Sequence, residues 1–367
     1  MDKKNNHLVS VLMPAYNHAR FIKPSIDSVI NQTYQNIELL IVDDGSTDET
    51  FEVIKEYSLK CSERFIRFEN FYQENHGTCY TLNRLLDMAR GEYVLLLASD
   101  DILADNAIEE EVFVLDENAD ISLVVGVNKI IDSDGKVCFW DKDRNIVYEE
   151  VNARWKDFSH FISDTTGVNF YDANQFGRYD ELLKCNHIAN GYLIRRSIFD
   201  LIGNFTTQAP LEDYWLMLQI AKYSKMYHIP NTTFYYRWHA NNTAGQMARM
   251  ASLVNKTVEY EERLLINVCD SRCLGSYLSF RENYLLNAVQ ECRKLNSGLI
   301  CANAHIDRLI ASERKLQADN LCKQGHIEQL LESERQLQNE VRLLRDRLSF
   351  IKLSKWYRIG KFFNKEL

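Results

Sequence analysis

Three stretches decide the fold: Ser10-Val11-Leu12-Met13-Pro14-Ala15-Tyr16-Asn17, then Leu39-Leu40-Ile41-Val42-Asp43-Asp44-Gly45-Ser46, then Tyr93-Val94-Leu95-Leu96-Leu97-Ala98-Ser99-Asp100-Asp101. Each begins as a short apolar run and stops at acidic or small polar residues. Buried parallel strands have this pattern, and their ligands bind at the carboxyl ends of the strands. Acidic loops that meet at one crevice predict a site for a metal ion and a polar anionic ligand.

The composition is that of a globular protein with a substantial core. The chain has 367 residues, of which 46% are hydrophobic and 11% aromatic. A net charge of −9 argues against a general nucleic-acid binder, which would carry a basic surface. Nine cysteines without a CxxC pair favour a reduced, cytoplasmic protein over a disulfide or zinc framework. No apolar run reaches the ~20 residues that span a bilayer, and residues 1–7 lack the apolar stretch of a signal peptide.

Strand-like and helix-like segments alternate over the first hundred residues, which predicts a doubly wound sheet with right-handed crossovers. The pattern predicts strands over 8–14, 38–42, 65–69 and 92–98, and helices over 21–31, 50–62 and 78–89. Farther along, the pattern is less regular. There it predicts strands over 122–128, 227–228 and 233–237, a helix over 214–223, and a helical region over 246–300.

Residues 302–351 have a heptad pattern. With Ile306 at position a, ten of the fourteen a and d positions are apolar, and Asn320 occupies an a position. A buried Asn at this position fixes register in parallel dimers, so we predict an intermolecular coiled coil that forms a homodimer, with a trimer as the second choice. The alternative is a long helix packed on its own domain.

Residues 352–367 form a basic and aromatic tail on an otherwise acidic chain. The basic residues alternate with aromatic ones, which suits contact with an anionic membrane surface. We therefore expect a cytoplasmic protein held peripherally at the inner face of the cell membrane. The alternative is a frayed or core-packed terminus. The residues of this pattern are Lys352, Lys355, Arg358, Lys361 and Lys365, with Trp356, Tyr357, Phe362 and Phe363 between them.

Taken in order, Val9–Asn17, Val42–Asp48, Asn75-His76-Gly77, Gly91–Asp101 and Glu212-Asp213 resemble the family 2 glycosyltransferases of the GT-A fold. The resemblance covers roughly residues 8–245. It implies an α/β, Rossmann-like fold with a mixed, mainly parallel sheet and helices on both faces. The organisation it suggests is a nucleotide-sugar-binding half over 1–115, an acceptor-binding half over 116–245, a helical region over 246–301, the coiled coil over 302–351 and the tail over 352–367.

The resemblance implies a divalent cation, Mn²⁺ or Mg²⁺, held by hard carboxylate oxygens. Asp100 is the expected metal ligand and Asp101 supports the metal site, although Ala98 stands where the family often has a first Asp. The alternative for Asp101 is an N-cap of a helix that begins near residue 104. In the segment 236–239, which is similar to the family's Tyr-Arg-X-His, Arg237 is expected to reach the diphosphate and His239 is a candidate metal ligand or a structural residue.

The nucleotide is expected to lie at the ends of the first two strands. By resemblance, Tyr16 lies against the base, and Asp44 accepts a hydrogen bond from the base imide, which favours uracil or thymine. On its own, Asp43-Asp44-Gly45-Ser46 is also a common turn sequence. Leu82 replaces the Arg that relatives carry in the next helix. The other residues expected to bind or shape the nucleotide-sugar site are Pro14, Ala15, Asp43, Asn75, Gly77 and Ser99.

The acceptor hydroxyl must lose a proton as it attacks the anomeric carbon, and a carboxylate in hydrogen-bond reach can take it. The segment 211–215 resembles the family's Glu-Asp motif, which implies Asp213 as general base and Glu212 as the residue that positions it or binds the acceptor. Such a base implies single displacement with inversion. The alternative is that both carboxylates only complement a helix dipole.

The sequence thus predicts an inverting, metal-dependent, hexosyltransferase-type enzyme. It would move a sugar from a UDP- or dTDP-sugar to a hydroxyl of a glycan, expected to be lipid-linked, in the synthesis of a cell-surface polysaccharide such as O-antigen. A nucleotidyltransferase would need a glycine-rich basic loop after the first strand, which residues 14–17 lack. A catalytically inactive scaffold that assembles partners through the coiled coil is the second alternative, suggested by Ala98 and Leu82.

Overall fold

The structure is a computed structural model, and it describes residues 6–240, 242, 247–268, short helical pieces between 290 and 311, and 324–353. The chain divides into two compact units, Met1–Leu274 and Gly275–Leu367. Within the described parts of both units, no helix is both long enough and apolar enough to cross a bilayer.

The first unit holds the strands of one large mixed sheet. In chain order they are β1 (Val9–Ala15), β2 (Ile37–Asp43), β3 (Arg67–Tyr72), β4 (Tyr93–Leu96), β5 (Ile102–Leu103), β6 (Ile121–Ile131), β7 (Val137–Trp140), β8 (Ile146–Val147), β9 (Leu193–Arg195) and β10 (Lys225–Arg237).

Helices connect these strands in the order that the alternating pattern predicts. They are α1 (Ile22–Ile30), α2 (Thr50–Glu56), α3 (Ser58–Arg64), α4 (Thr78–Met88), α5 (Ala107–Glu117), α6 (Phe158–Thr166), α7 (Tyr179–Leu182), α8 (Phe199–Ile202), α9 (Glu212–Tyr223) and α10 (Met247–Val268), and the second unit contributes α11 (Gln324–Leu353).

The sheet runs in the order β3-β2-β1-β4-β9-β6-β10-β5. The strands β1 to β4 pair in parallel, β9 is antiparallel to both of its neighbours, and β6 and β10 are parallel to each other. The predicted α/β class and the mixed sheet are therefore confirmed. Because β1 to β4 are parallel, their carboxyl ends and the loops that follow them meet at one edge.

The central strands form because continuous apolar runs are buried on both faces. Every residue of β2 is buried, and in β1 only Pro14 is partly exposed. Register then aligns the ends of the strands, since Ala15 of β1 pairs with Asp43 of β2.

Three element predictions are wrong in detail. Residues 50–62 form two helices that break at Tyr57, whose hydroxyl donates to Asp27 at 2.9 Å, so a tertiary contact accompanies the break. The third strand lies at Arg67–Tyr72 rather than 65–69. The two short strands near 230 are one strand, β10, with register irregularities around Pro230, which has no N–H to donate.

In the second unit, α11 covers the last heptads of the predicted coiled coil. The a-position residues Val341 and Leu348 are buried within the single chain, and the d-position Leu344 lies 3.7 Å from where a Cβ on Gly298 would be. These contacts favour the alternative of a helix packed on its own chain at this end. The intermolecular coiled coil stays a prediction; residues 312–323 of its heptads, and residues 354–367 of the tail, lie outside the described residues.

Candidate active site

The loops after β1, β2 and β4 emerge side by side at the carboxyl edge of the sheet. The amide of Asp44 donates to the carbonyl of Ala15 at 2.8 Å, and the amide of Leu97 donates to the carbonyl of Leu12 at 3.0 Å. Parallel pairing thus extends past the ends of the strands. The polar residues that the sequence placed after these strands lie at one edge, as predicted for a ligand site.

The loop after β1 is interlocked with the loop after β2. Asn17 has a left-handed backbone (φ 54°), and its Oδ1 accepts from the amide of Thr47 at 2.8 Å while its own amide donates to Ser46 Oγ at 2.8 Å. Asp43 Oδ1 accepts from the amide of Ser46 at 2.7 Å. Asp43 is fully buried, and this burial raises the pKa of its carboxyl. Tyr16, by contrast, is 47% exposed beside this loop.

Asp44 holds the segment that leads into α4. Its carboxylate accepts from Gln73 Nε2 at 2.7 Å and from the amides of His76 and Gly77 at 2.9 Å and 2.8 Å. A carboxylate offers about four acceptor positions, so three are used within the protein and about one remains for a ligand. Gly45 lets the loops approach, since a Cβ there would lie 2.7 Å from the amide nitrogen of Asn75.

Asp100 lies between two imidazoles. Its Oδ2 is 3.0 Å from His239 Nε2 and 3.8 Å from His18 Nε2. Burial raises the pKa of the Asp100 carboxyl, but the hydrogen bond from His239 and the charges of His18 and His239 outweigh it, so the pKa lies below its usual value. The carboxylate is therefore ionised at neutral pH.

Both imidazoles are held in place by neighbours. Nδ1 of His18 is 2.8 Å from Ser99 Oγ, and the ring of His239 stacks on Phe21 with centroids 4.8 Å apart. An oriented imidazole beside an ionised carboxylate fits a borderline cation such as Mn²⁺. Within the described part of the chain, however, no three His, Cys, Asp or Glu side chains are already arranged around a common point for a metal.

The loop that carries Asp100 is supported by two buried residues, Asp101 and Arg237. Asp101 is 2% exposed, and its Oδ1 accepts from the Arg237 amide at 2.8 Å. Burial and the charge of Asp100 raise the pKa of Asp101 well above its usual value. The Arg237 guanidinium is also buried, and its Nε and Nη1 donate to the carbonyls of Asp100 and Asp132 at 2.6 Å and 3.1 Å. Arg237 thus fixes the main chain of the Asp100 loop.

A cavity of about 190 Å³ joins this edge to the start of α9. The end of β1, the end of β4 and the first turn of α9 all contribute to its wall. Ala98 is exposed here, so the absence of an acid at this position leaves open space in the wall. The lining residues are Pro14, Thr78, Leu82, Leu96, Leu97, Ala98, Asn190, Tyr192, Phe205, Glu212 and Asp213.

Glu212 and Asp213 are the carboxylates of this cavity, and their environment is the opposite of that around Asp100. Burial and the charge of Asp213 raise the pKa of Glu212 to about 7. Burial also raises the pKa of Asp213, although its Oδ1 accepts from the Tyr214 amide at 2.6 Å. Two partly buried carboxyl groups this close do not ionise independently, and the raised pKa of Glu212, about 7, places proton uptake by the pair near neutral pH.

The carboxylates of the Asp100 loop and Asp213 at the start of α9 all affect Tyr236. Burial raises the pKa of the Tyr236 hydroxyl, and the charges of Asp101, Asp100 and Asp213 raise it further. These three carboxylates are therefore close enough to Tyr236 for their charges to raise the pKa of its hydroxyl. Asp44 lies farther along the edge, against the segment 75–77. Asn190 also lines the cavity, whereas Trp215 is buried outside its lining.

The sequence interpretation missed His18. It assigned site roles to Ser99 and Asp100 but none to His18, whose imidazole contacts both of them. The available signal was position, since His18 directly follows the loop at the end of β1, where ligands of such sheets bind.

Comparison with known proteins agrees with this geometry. Residues 10–177 match the family described as Glycosyl transferase family 2. An uncharacterised glycosyltransferase of Rickettsia typhi is 30% identical over 191 residues, covering 50% of this chain and 58% of the relative. The glycosyltransferase GlyG of Streptococcus pneumoniae is 32% identical over 148 residues, covering 40% and 48%. The chain therefore spans about half the length of these curated relatives.

The fold has a counterpart among solved structures. A mannosyltransferase from Pyrobaculum calidifontis, solved in complex with GDP-Man and Mn²⁺, superimposes with a TM-score of 0.53 at 16% identity, covering 71% of this chain and 65% of that chain. At this level of identity the likeness shows a shared GT-A-like architecture.

Proposed function

We propose that this chain, whose residues 10–177 match the family described as Glycosyl transferase family 2, transfers a sugar from a nucleotide-sugar donor to a hydroxyl of a glycan acceptor, with inversion. One observation carries the proposal. A single cavity connects the strand ends that carry the Asp100 loop with the carboxyl pair Glu212 and Asp213. The carboxyl pair therefore faces a cavity whose wall includes Leu97 and Ala98, the residues that lead into the Asp100 loop.

The donor side fits a divalent cation. Asp100 and His239 would hold it, because the ionised carboxylate and an oriented imidazole lie 3.0 Å apart, and His18 Nε2 is 3.8 Å from the same carboxylate oxygen. When bound, the cation would neutralise the negative charge that develops on the departing diphosphate. Asp101 and Arg237 would act beneath it by fixing the loop.

The nucleotide would lie along the ends of β1 and β2. Tyr16 offers an exposed ring for the base, and the remaining acceptor position of Asp44 can take one N–H from an imide. This supports uracil or thymine as the base and hence a UDP- or dTDP-sugar. Pro14, Ala15 and Ser99 would shape the neighbouring wall. Asn75 and Gly77 would do so through the segment that Asp44 holds.

The acceptor side would supply the general base for the reaction. Asp213 would take the proton from the acceptor hydroxyl as the oxygen forms its bond to the anomeric carbon, and the bond from that carbon to the diphosphate oxygen breaks. Attack from the face opposite the leaving group inverts the anomeric centre without a covalent intermediate. Glu212 would orient the acceptor or raise the basicity of Asp213, since a neighbouring negative charge makes a carboxylate a stronger base.

The proposal extends to the cellular setting of the enzyme. The basic aromatic tail over 352–367 supports a membrane surface as partner and hence a lipid-linked acceptor in the synthesis of a surface polysaccharide. A homodimer through residues 302–351 would place two tails on one assembly and strengthen the contact.

The test is a panel of UDP-, dTDP- and GDP-sugars with and without Mn²⁺. We expect a UDP- or dTDP-sugar to raise the unfolding temperature and to be slowly hydrolysed, with Asp100→Ala losing the Mn²⁺-dependent part of both effects. Stabilisation without any turnover in the wild type would instead support the inactive-scaffold alternative. Stabilisation unchanged in Asp100→Ala would remove Asp100 from the cation site.

A further inference from the structure

Helix α10 lies outside the region matched by the family, yet two of its buried polar residues reach the helix that carries the carboxyl pair. Thr257 is fully buried, and its Oγ1 accepts from the amide of Leu211 at 3.1 Å. Leu211 immediately precedes Glu212 and has no side-chain cap of its own. Thr257 therefore holds the main chain at the point where α9 begins.

Glu261, one turn after Thr257, holds α9 farther along its length. It is fully buried and accepts from Gln219 Nε2 at 2.7 Å, from Lys222 Nζ at 2.7 Å and from the hydroxyl of Tyr179. Three donors use most of the acceptor capacity of the carboxylate. A buried charge satisfied in this way fixes the groups around it, since removing any partner leaves the charge uncompensated.

We propose that Thr257 and Glu261 are positioning residues that hold α9 so that Glu212 and Asp213 stay in the cavity, which makes α10 part of the catalytic unit. The inference rests on the proposed function. The two attachment points on α9 are 8 to 11 residues apart, or about 12–16 Å along the helix axis. Two anchors at this separation fix both the sliding and the tilt of the helix.

The position of α9 matters because proton transfer depends on geometry. A displacement of about 1 Å at a catalytic group can cost on the order of 10²-fold in rate. The side chain of Leu211 makes no capping hydrogen bond, and Asp213 is the second residue of the helix. A small movement at Leu211 is therefore transmitted directly to the carboxylate.

The test is Thr257→Val, which keeps the shape and removes the hydroxyl. The matched control is Thr233→Val, because Thr233 is also fully buried and also accepts one backbone amide, that of Gly126, at 3.1 Å. Three quantities are measured on the full chain: the melting temperature, amide hydrogen exchange over 211–214, and UDP release from UDP-glucose, UDP-galactose and UDP-N-acetylglucosamine with Mn²⁺.

We expect both variants to melt at lowered temperatures, since each loses the buried hydroxyl that accepts from a backbone amide. Only Thr257→Val should exchange faster over 211–214 and lose about tenfold in kcat, with KM for the donor within threefold. Its pH profile should move toward acid, because water admitted beside Asp213 lowers the raised pKa of that carboxyl. Thr257→Ser, which restores the hydroxyl, should recover the wild-type rate.

Equal kcat in wild type and Thr257→Val, or an equal loss in Thr233→Val, would overturn the positioning role. An Asp213→Asn arm separates this result from failure of the proposed function. If Asp213→Asn turns over normally, the base assignment is wrong whatever Thr257 does. If Asp213→Asn is inactive while Thr257→Val is normal, the function stands and only the positioning role is wrong.

Discussion

Two acidic regions of this protein use the same residue types for opposite purposes. At the donor edge, Asp100 is close to two imidazoles, and its pKa lies below the usual value. In the cavity, Glu212 and Asp213 are partly buried beside each other, and both pKa values are raised. Partners rather than residue identity thus decide whether a carboxylate stays permanently charged or can take up a proton.

The comparison also explains the second carboxyl in each region. Asp101 is buried under Asp100 and bound to the Arg237 amide, so it supports the loop without facing the cavity. Glu212 lines the cavity with Asp213 and shares its proton equilibrium. The Asp-Asp pair after a strand and the Glu-Asp pair at a helix start therefore differ in environment, because Asp101 is buried against the Arg237 amide whereas both acids of the second pair line the cavity.

The largest expected effect tests the acceptor region. Asp213→Asn should lower transfer by a factor on the order of 10² or more, because the amide cannot accept the hydroxyl proton, while donor binding is retained. The measurement is steady-state transfer together with nucleotide-sugar titration by calorimetry.

Asp157→Asn is the matched control for that variant. The Asp157 carboxylate also begins a helix, accepts from the amide of His160 at 2.6 Å, and has a pKa raised by burial, but it does not line the cavity. Equal losses in the two variants would mean that Asp213 acts only on its helix dipole. A selective loss in Asp213→Asn would establish the difference between capping and catalysis.

A smaller effect is expected in the pH profile. As pH rises through about 7, Glu212 ionises and its charge makes Asp213 a stronger base, so kcat should increase several-fold. Glu212→Gln should remove this inflection. An unchanged inflection near pH 7 in Glu212→Gln would assign it to another group.

The same raised pKa has a consequence for stability. Because the folded state holds the Glu212 proton more tightly than the unfolded state, stability from this group is present at acid pH and is lost as pH rises from about 4.5 to 7. The loss is about 2 kcal/mol, allowing for partial exposure. Glu212→Gln should flatten this part of the stability curve in urea unfolding at pH 5 and pH 8. A wild-type curve without that slope would contradict the raised pKa.

The smallest effect on chemistry is expected from deletion of residues 302–367. The truncated protein should keep its kcat on a soluble acceptor, because neither acidic region includes these residues, yet become monomeric and bind anionic vesicles more weakly. Light scattering and vesicle sedimentation measure the two properties. A truncated protein that remains dimeric and bound to vesicles would refute the predicted coiled coil and membrane tail.

Much of the donor edge could be predicted because it is encoded locally. Apolar runs that stop at Ala15, Asp43 and Leu96 specify buried strands, and parallel pairing then brings their loops together. The partners of those loops could not be predicted. His18 lies 3.8 Å from Asp100 although 82 positions separate them in the sequence. Thr257 accepts a hydrogen bond from Leu211, which is 46 positions away. Such pairings depend on packing, for which no local pattern exists.

The sequence by itself determined the α/β class, the order of the first strands and the identity of the acidic residues, because burial and periodicity act over a few neighbouring residues. Only the tertiary structure decided which carboxylates face the cavity, which ones the chain uses for its own support, and in which direction each pKa moves. The physical reason is that desolvation and charge–charge interactions depend on distances in space, and those distances are set by the packed fold.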